Sequence, residues 1–164
     1  MNILFIMLKA PRPSRIADMQ AIAMPRLLKK GYSALTFFGY VITHSQQEAE
    51  AFNACHTLTT ASEKGTHLSS LKNHEAIHLY QARSTHNSWL CFYWRYGIFW
   101  LKAFRYRKHL KNAGYWLNPF EMEAYENMYN LDYLKDKEEG CTGWKHYATL
   151  PLTERFRIHQ HLSR

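Results

Sequence analysis

Ser69-Ser70-Leu71-Lys72-Asn73-His74-Glu75-Ala76-Ile77-His78-Leu79-Tyr80-Gln81-Ala82-Arg83 contains no proline or glycine, and either serine can cap it, so a helix is expected to about Arg83. On that helix His74 and His78 stand at i and i+4 and share one face, with imidazole nitrogens able to converge on a single ion. His-Glu-x-x-His is a metal-site pattern. Zinc suits it: the borderline-soft dication takes nitrogen and oxygen ligands, and a catalytic site keeps one of four positions open for water. Glu75, next to the first histidine, would sit beside that water and accept its proton.

Working toward the N-terminus, Tyr32 to Thr43 is rich in β-branched and aromatic residues and reads as strand, with Gly39 a bulge or turn. Residues 44–66 read as a short helix and a loop. Residues 1–31 form a poorly defined N-terminal segment broken by Pro11, Pro13 and Pro25, its clearest helical fragment running from Ser14 to Met24. The apolar opening Met1 to Leu8 lacks a basic n-region and a cleavage site and does not read as a signal peptide.

Toward the C-terminus a helix is expected from Ser88 to about Lys111, stopped by Asn112-Ala113-Gly114. Its first part, Trp89 to Leu101, is apolar on nearly every side, and with Arg95 inside it is too short to span a bilayer. Two readings follow: a core helix behind the metal helix, or an interfacial element with its aromatic residues at headgroup level. Asn118-Pro119 is a strong start signal for a further helix to about Lys137. The remainder reads as loop with a short helix from Thr153.

A third ligand must come from outside the histidine helix, and Asn118-Pro119-Phe120-Glu121-Met122-Glu123-Ala124-Tyr125 offers it. His-Glu-x-x-His followed by Glu-x-x-Ala on a later helix resembles the gluzincins, zinc peptidases whose third ligand is a glutamate. Glu121-Met122-Glu123-Ala124 looks like the ExxAD element of the CAAX prenyl proteases and their bacterial heat-shock relatives. With Gly143-Trp144-Lys145-His146-Tyr147, the chain is similar to small bacterial zincin-like proteins over about half its length. The resemblance implies an α+β zincin-like domain spanning 1–164, with a small sheet, a metal helix and a glutamate helix. It also implies Zn2+ held by His74, His78 and Glu121, Glu75 as general base, and a peptide or protein as substrate. Where the larger families place Asp after ExxA, this chain has Tyr125.

Alternatives stand beside that assignment. With Asn118 as N-cap, Glu121 occupies the third helical position of a capping box. Glu123 points about 200° away from Glu121 on a helix of about 3.6 residues per turn, so both cannot face one metal. His86 is a second alternative ligand. For the developing oxyanion the available donors are Tyr125, Tyr129, His146 and Tyr147, with His146 placed first.

The 21 basic against 13 acidic side chains give a formal charge of +8, which favours anionic surfaces. Residues 95–111 hold Arg95, Lys102, Arg105, Arg107, Lys108 and Lys111 with no acid, whereas residues 118–139 hold seven acids against two lysines. That acidic block argues against a specific nucleic-acid groove and leaves peripheral membrane contact through residues 89–111. Cys55, Cys91 and Cys141 are odd in number and widely spaced, which points to a reducing, cytoplasmic setting. The expected activity is zinc-dependent peptide hydrolysis. The competing class is a non-catalytic zinc-binding protein, or one that binds membrane or nucleic acid through its basic aromatic helix.

Overall fold

Val41, Ile42 and Thr43 favour extended backbone because their branched Cβ atoms fit a pleated surface. In the computed structural model, which describes residues 19–28, 32–55 and 67–162, the Tyr32–Thr43 run folds back on itself. Strands β2 (Leu35–Phe37) and β3 (Tyr40–Thr43) pair antiparallel, with Thr36 opposite Val41 and Phe37 opposite Tyr40. Phe38 and Gly39 form the turn with φ of 48° and 90°, the left-handed pair that matches the twist of a tight hairpin. Phe38 is held in this conformation by its amide, which donates to the Tyr93 hydroxyl, and by ring contacts with Trp89 and Tyr93.

Strand β1 (Gln20–Ala23) lies parallel to β3 on its other side, giving the order β1-β3-β2. This corrects the helix expected over Ser14–Met24: its described part is strand, and residues 14–18 lie outside the described residues. Tertiary pairing overrides the local preference there. Besides its pairing with β3, Ala21 donates its amide to Asn53 Oδ1 and accepts from Asn53 Nδ2. Asn53 belongs to α1 (Gln46–Ala54), whose Ser45 cap accepts from the Glu48 amide.

Helix α2 (His67–Ser84) begins before the serines expected to cap it. Most residues from Ser69 to Ala82 are buried, so this is a central helix surrounded by other elements. Strand β2, helix α3 (Trp89–Phe104) and helix α5 (Pro119–Asn127) pack against it. Val41, Phe52, Ile77, Trp89, Phe92 and Phe120 form the main core, each large side chain contributing roughly 1.5–3 kcal/mol of burial.

Two helices end earlier than their sequence suggests. Helix α3 stops at Phe104, after which Tyr106, Arg107 and His109 donate to carbonyls three residues back. These tight turns carry Tyr106 and Leu110 into a second core around Ala103, Ala113 and Leu117. Asn112, at φ 58°, then turns the chain into α4 (Ala113–Trp116), so Asn112-Ala113-Gly114 redirects the chain where a stop was expected. Helix α5 has the expected Asn118 cap, with Oδ1 accepting from the Phe120 amide. It ends at Asn127, well short of Lys137, because Asn73 Nδ2 donates to the carbonyls of Asn127, Met128 and Asn130 and closes its C-terminus. Helix α6 (Trp144–Thr149) was not anticipated, and α7 (Leu152–Leu162) is the short C-terminal helix. Among the described residues no helix is long and apolar enough to cross a membrane.

Candidate metal centre

The helical repeat of α2 brings His74 and His78 to one face, and the Asn118 cap fixes where α5 begins and hence where Glu121 points. The two faces meet. His74 Nε2 lies 3.2 Å from His78 Nε2, and the Glu121 carboxylate lies 3.3 Å from His74 Nε2 and 3.6 Å from His78 Nε2. All three side chains are buried, and their ligand atoms lie within 4.8 Å of one another. The capping-box alternative for Glu121 does not form: Tyr96 donates its hydroxyl to Glu121 Oε1 at 2.8 Å, and the Asn118 amide donates to the Tyr115 carbonyl.

The donor set suits a dication. Glu121 Oε2 is buried, lacks a hydrogen-bond donor of normal geometry and stands 3.3 Å from His74 Nε2, a setting that a cation between the two would stabilise. His78 Nδ1 lies 2.8 Å from Gln81 Oε1. Assigning the proton to Nδ1 leaves the Nε2 lone pair facing His74 and Glu121, as metal ligation requires. Two imidazole nitrogens and one carboxylate oxygen form a group that could hold a metal ion.

Electrostatics couples the same residues. Burial alone would depress the His78 imidazole, but the Glu121 carboxylate outweighs it and raises His78 to about 9. Glu121 shows the converse: burial pushes it up, and the two histidines bring it well below the usual carboxylate range. The Glu121 carboxylate thus favours the protonated form of His78.

Three further side chains hold the site. Thr36, on strand β2, donates its hydroxyl to Glu75 Oε2 at 2.5 Å and fixes that carboxylate beside the histidines. Tyr96 orients Glu121. Gln81 holds His78 with its oxygen, while its Nε2 donates to Glu123 Oε2 and to the Phe120 carbonyl. Sequence reasoning gave none of the three a role. Gln81 was within reach, since it lies one turn beyond His78 on the same helix, whereas Thr36 and Tyr96 meet the site only through tertiary packing.

Glu123 is buried on the opposite side of α5, where its Oε1 accepts from the Tyr133 hydroxyl and the Gly143 amide. A Cβ at Gly143 would stand 2.6 Å from that oxygen, so only glycine permits the approach. This contact places α6 behind α5, on the Glu123 side. His146, on α6, is exposed and does not line the cavity at the metal ligands. The structure therefore does not bring His146 to the site as an oxyanion donor. His86 pairs with Arg95 on the surface and is likewise not among the three converging ligands. Tyr125 packs its ring on His74 at 4.5 Å between centroids, and its hydroxyl bonds to Tyr115.

A cavity of about 370 Å3 opens beside His74, Glu75, His78 and Glu121. The aromatic helix was expected behind the metal helix. Instead it forms one wall of this cavity through Phe92, Tyr93, Tyr96 and Trp100, because its Phe92 face packs toward His78 and Phe120. The opposite wall comes from Leu35 and Phe37 of β2, with Tyr32 at the rim of both this cavity and a smaller one of about 140 Å3 that also reaches His74 and Glu75.

No family model, curated protein or solved structure matches the chain.

Proposed function

We propose that the chain is a zinc-dependent peptidase of the gluzincin type, with a zincin-like arrangement of sheet, metal helix and glutamate helix. The observation that carries this reading is the convergence of His74, His78 and Glu121 at the foot of a cavity, with Glu75 beside them and pinned by Thr36. Three ligands converge among the described residues, and a closed structural zinc site would have four.

His74, His78 and Glu121 would hold the zinc, which would supply Lewis-acid polarisation of the scissile carbonyl and of water. Glu75 takes a proton from the water as its oxygen bonds to the carbonyl carbon, and returns it to the amine nitrogen as the C–N bond breaks. Thr36 keeps the Glu75 carboxylate from rotating away. Gln81 and Tyr96 hold His78 and Glu121 in ligating orientations. Tyr32 lines the cavity and is our candidate donor to the oxyanion because the other cavity tyrosines are engaged, Tyr96 by Glu121. Tyr93 is occupied by the backbone of Phe38 and Thr36, and Tyr115 by Tyr125. Leu35 and Phe37 on one wall and Phe92 on the other suit an apolar side chain of the substrate. Among the described residues no disulfide joins Cys55, Cys91 and Cys141, in keeping with a cytoplasmic place of action.

Metal analysis of protein purified without chelator, together with Glu75→Gln, tests the proposal. Both proteins should carry about one zinc per chain, and peptide hydrolysis by the variant should fall by roughly 10²–10⁴. Zinc retained with no hydrolysis in the parent would make the site structural.

A further inference from the structure

Helix α3 turns one side toward the cavity and leaves another uncovered. Leu90, Trp94, Gly97, Leu101 and Phe104 recur at helical spacing along the uncovered side. Trp94 is 72% exposed, Leu101 66% and Leu90 53%. A Cβ at Gly97 would meet nothing within 4 Å, so the stripe is open along its middle as well. Three large apolar side chains more than half exposed on one helix face are unusual on a protein bounded only by water.

The chemistry beside the stripe narrows what covers it. Lys102, Arg105, Arg107, Lys108 and Lys111 follow directly, all exposed, with no acidic residue between 95 and 111. The apolar and basic parts form one surface. Trp100 stacks on Phe104 with centroids 5.0 Å apart and planes at 19°, and the Arg107 guanidinium lies 4.7 Å from the Phe104 ring centroid. Exposed Trp and Leu next to clustered Arg and Lys match a bilayer interface, where rings sit at the level of the headgroups and cations meet lipid phosphate and carboxylate. Leu90 and Leu101 have no flat face on which a base could stack, which disfavours nucleic acid. The 16-residue helix carries Arg95 and Lys102, so it lies along the surface and does not span.

We propose that the uncovered face of α3, continued by Lys102, Arg105, Arg107, Lys108 and Lys111, docks on an anionic lipid surface as a peripheral membrane contact. Trp100 belongs to both this face and the cavity wall, so docking sets the cavity mouth at headgroup level. The contact does not depend on a metal.

Co-sedimentation of the full chain with vesicles of phosphatidylcholine, alone or with about one-third phosphatidylglycerol, tests it. The protein should bind the anionic vesicles, bind the neutral ones far more weakly, and release as salt rises from ~0.05 to ~0.5 M. Arg105→Gln/Arg107→Gln/Lys108→Gln should weaken binding about a hundredfold, at roughly fivefold per cation. Trp94→Glu/Leu101→Glu should abolish binding at low salt, with far-ultraviolet circular dichroism unchanged. Gly97→Leu, which fills the stripe without a clash, should strengthen binding severalfold. Equal binding to both vesicle types, no binding to either, or a Gly97→Leu variant that only forms dimers would overturn the proposal. So would binding to single-stranded RNA that competes with the vesicles and persists in Trp94→Glu/Leu101→Glu.

Discussion

Gln81 Oε1 lies 2.8 Å from His78 Nδ1, one turn along the same helix. The contact fixes the imidazole tautomer and ring plane, and through Nε2 the same carboxamide grips Glu123 on α5. Orientation of a metal ligand and docking of two helices thus depend on one side chain. Gln81→Leu should weaken zinc binding 10–100-fold, the usual loss when a ligand's supporting partner is removed. Competition with a chromogenic chelator measures it, and an unchanged affinity would show that the contact does not govern ligation.

Glu123 and Glu121 should separate cleanly by variant. Removing the Glu123 carboxylate takes the acceptor from three donors, Tyr133 Oη, the Gly143 amide and one N–H of Gln81 Nε2, the last keeping its bond to the Phe120 carbonyl. Glu123→Ala should therefore cost at least ~3 kcal/mol of stability in urea unfolding. Glu121→Ala should abolish zinc uptake, whereas Glu123→Ala should leave the residual folded protein able to take up zinc. The reverse pattern would exchange their roles.

The Thr36 hydroxyl contact with Glu75 has a kinetic consequence within the proposed activity. Thr36→Val keeps the shape of a buried strand residue and removes the donor. Peptide hydrolysis should drop roughly tenfold or more in kcat with zinc content and KM little changed, because the loss concerns a proton-transfer group held in place. A change confined to KM would argue that Thr36 contacts the substrate instead.

Acidity should act on the metal-free and metal-loaded forms in different ways. His78 is raised from 6.5 to about 9 in the folded chain. The metal-free protein is therefore favoured below about pH 6.5 and loses that contribution as pH climbs through about 9. Glu121, depressed below the usual carboxylate range, contributes in full above its ordinary value, and that contribution is lost progressively as pH falls from there through the lowered folded-state value. Zinc must displace the His78 proton, so its apparent affinity should rise about tenfold per pH unit up to about 9. Isothermal titration in buffers of different ionisation enthalpy reads the proton released; a pH-independent affinity would show that the metal does not compete with the His78 proton.

The convergence of His74, His78 and Glu121 was legible in part because its pieces lie in local motifs. A pair of histidines at i and i+4 needs only a helix, whereas Glu121 was singled out by the resemblance of Glu121-Met122-Glu123-Ala124 to ExxA, and the Asn118 cap by itself pointed to a capping box instead. The Phe38-Gly39 turn was announced by Gly39 among strand formers. What escaped reading is long-range: β1, formed where a helix was expected because β3 and Asn53 claim its backbone; the early end of α5, closed by Asn73 from another helix; and the placing of α3 against the cavity. His146 failed as a site residue for the same reason, since the Glu123–Gly143 contact that sends α6 behind α5 cannot be seen in local sequence.

The ligands come from α2 and α5, which lie far apart along the chain and meet only in the native packing. An unfolded chain keeps just the adjacent pair of imidazoles, a weak chelate, so the ion discriminates strongly between the two states. Zinc at about a thousand times its dissociation constant should raise unfolding free energy by about 4 kcal/mol. A melting curve recorded along a zinc titration therefore reports whether two distant helices have come together, with no substrate needed.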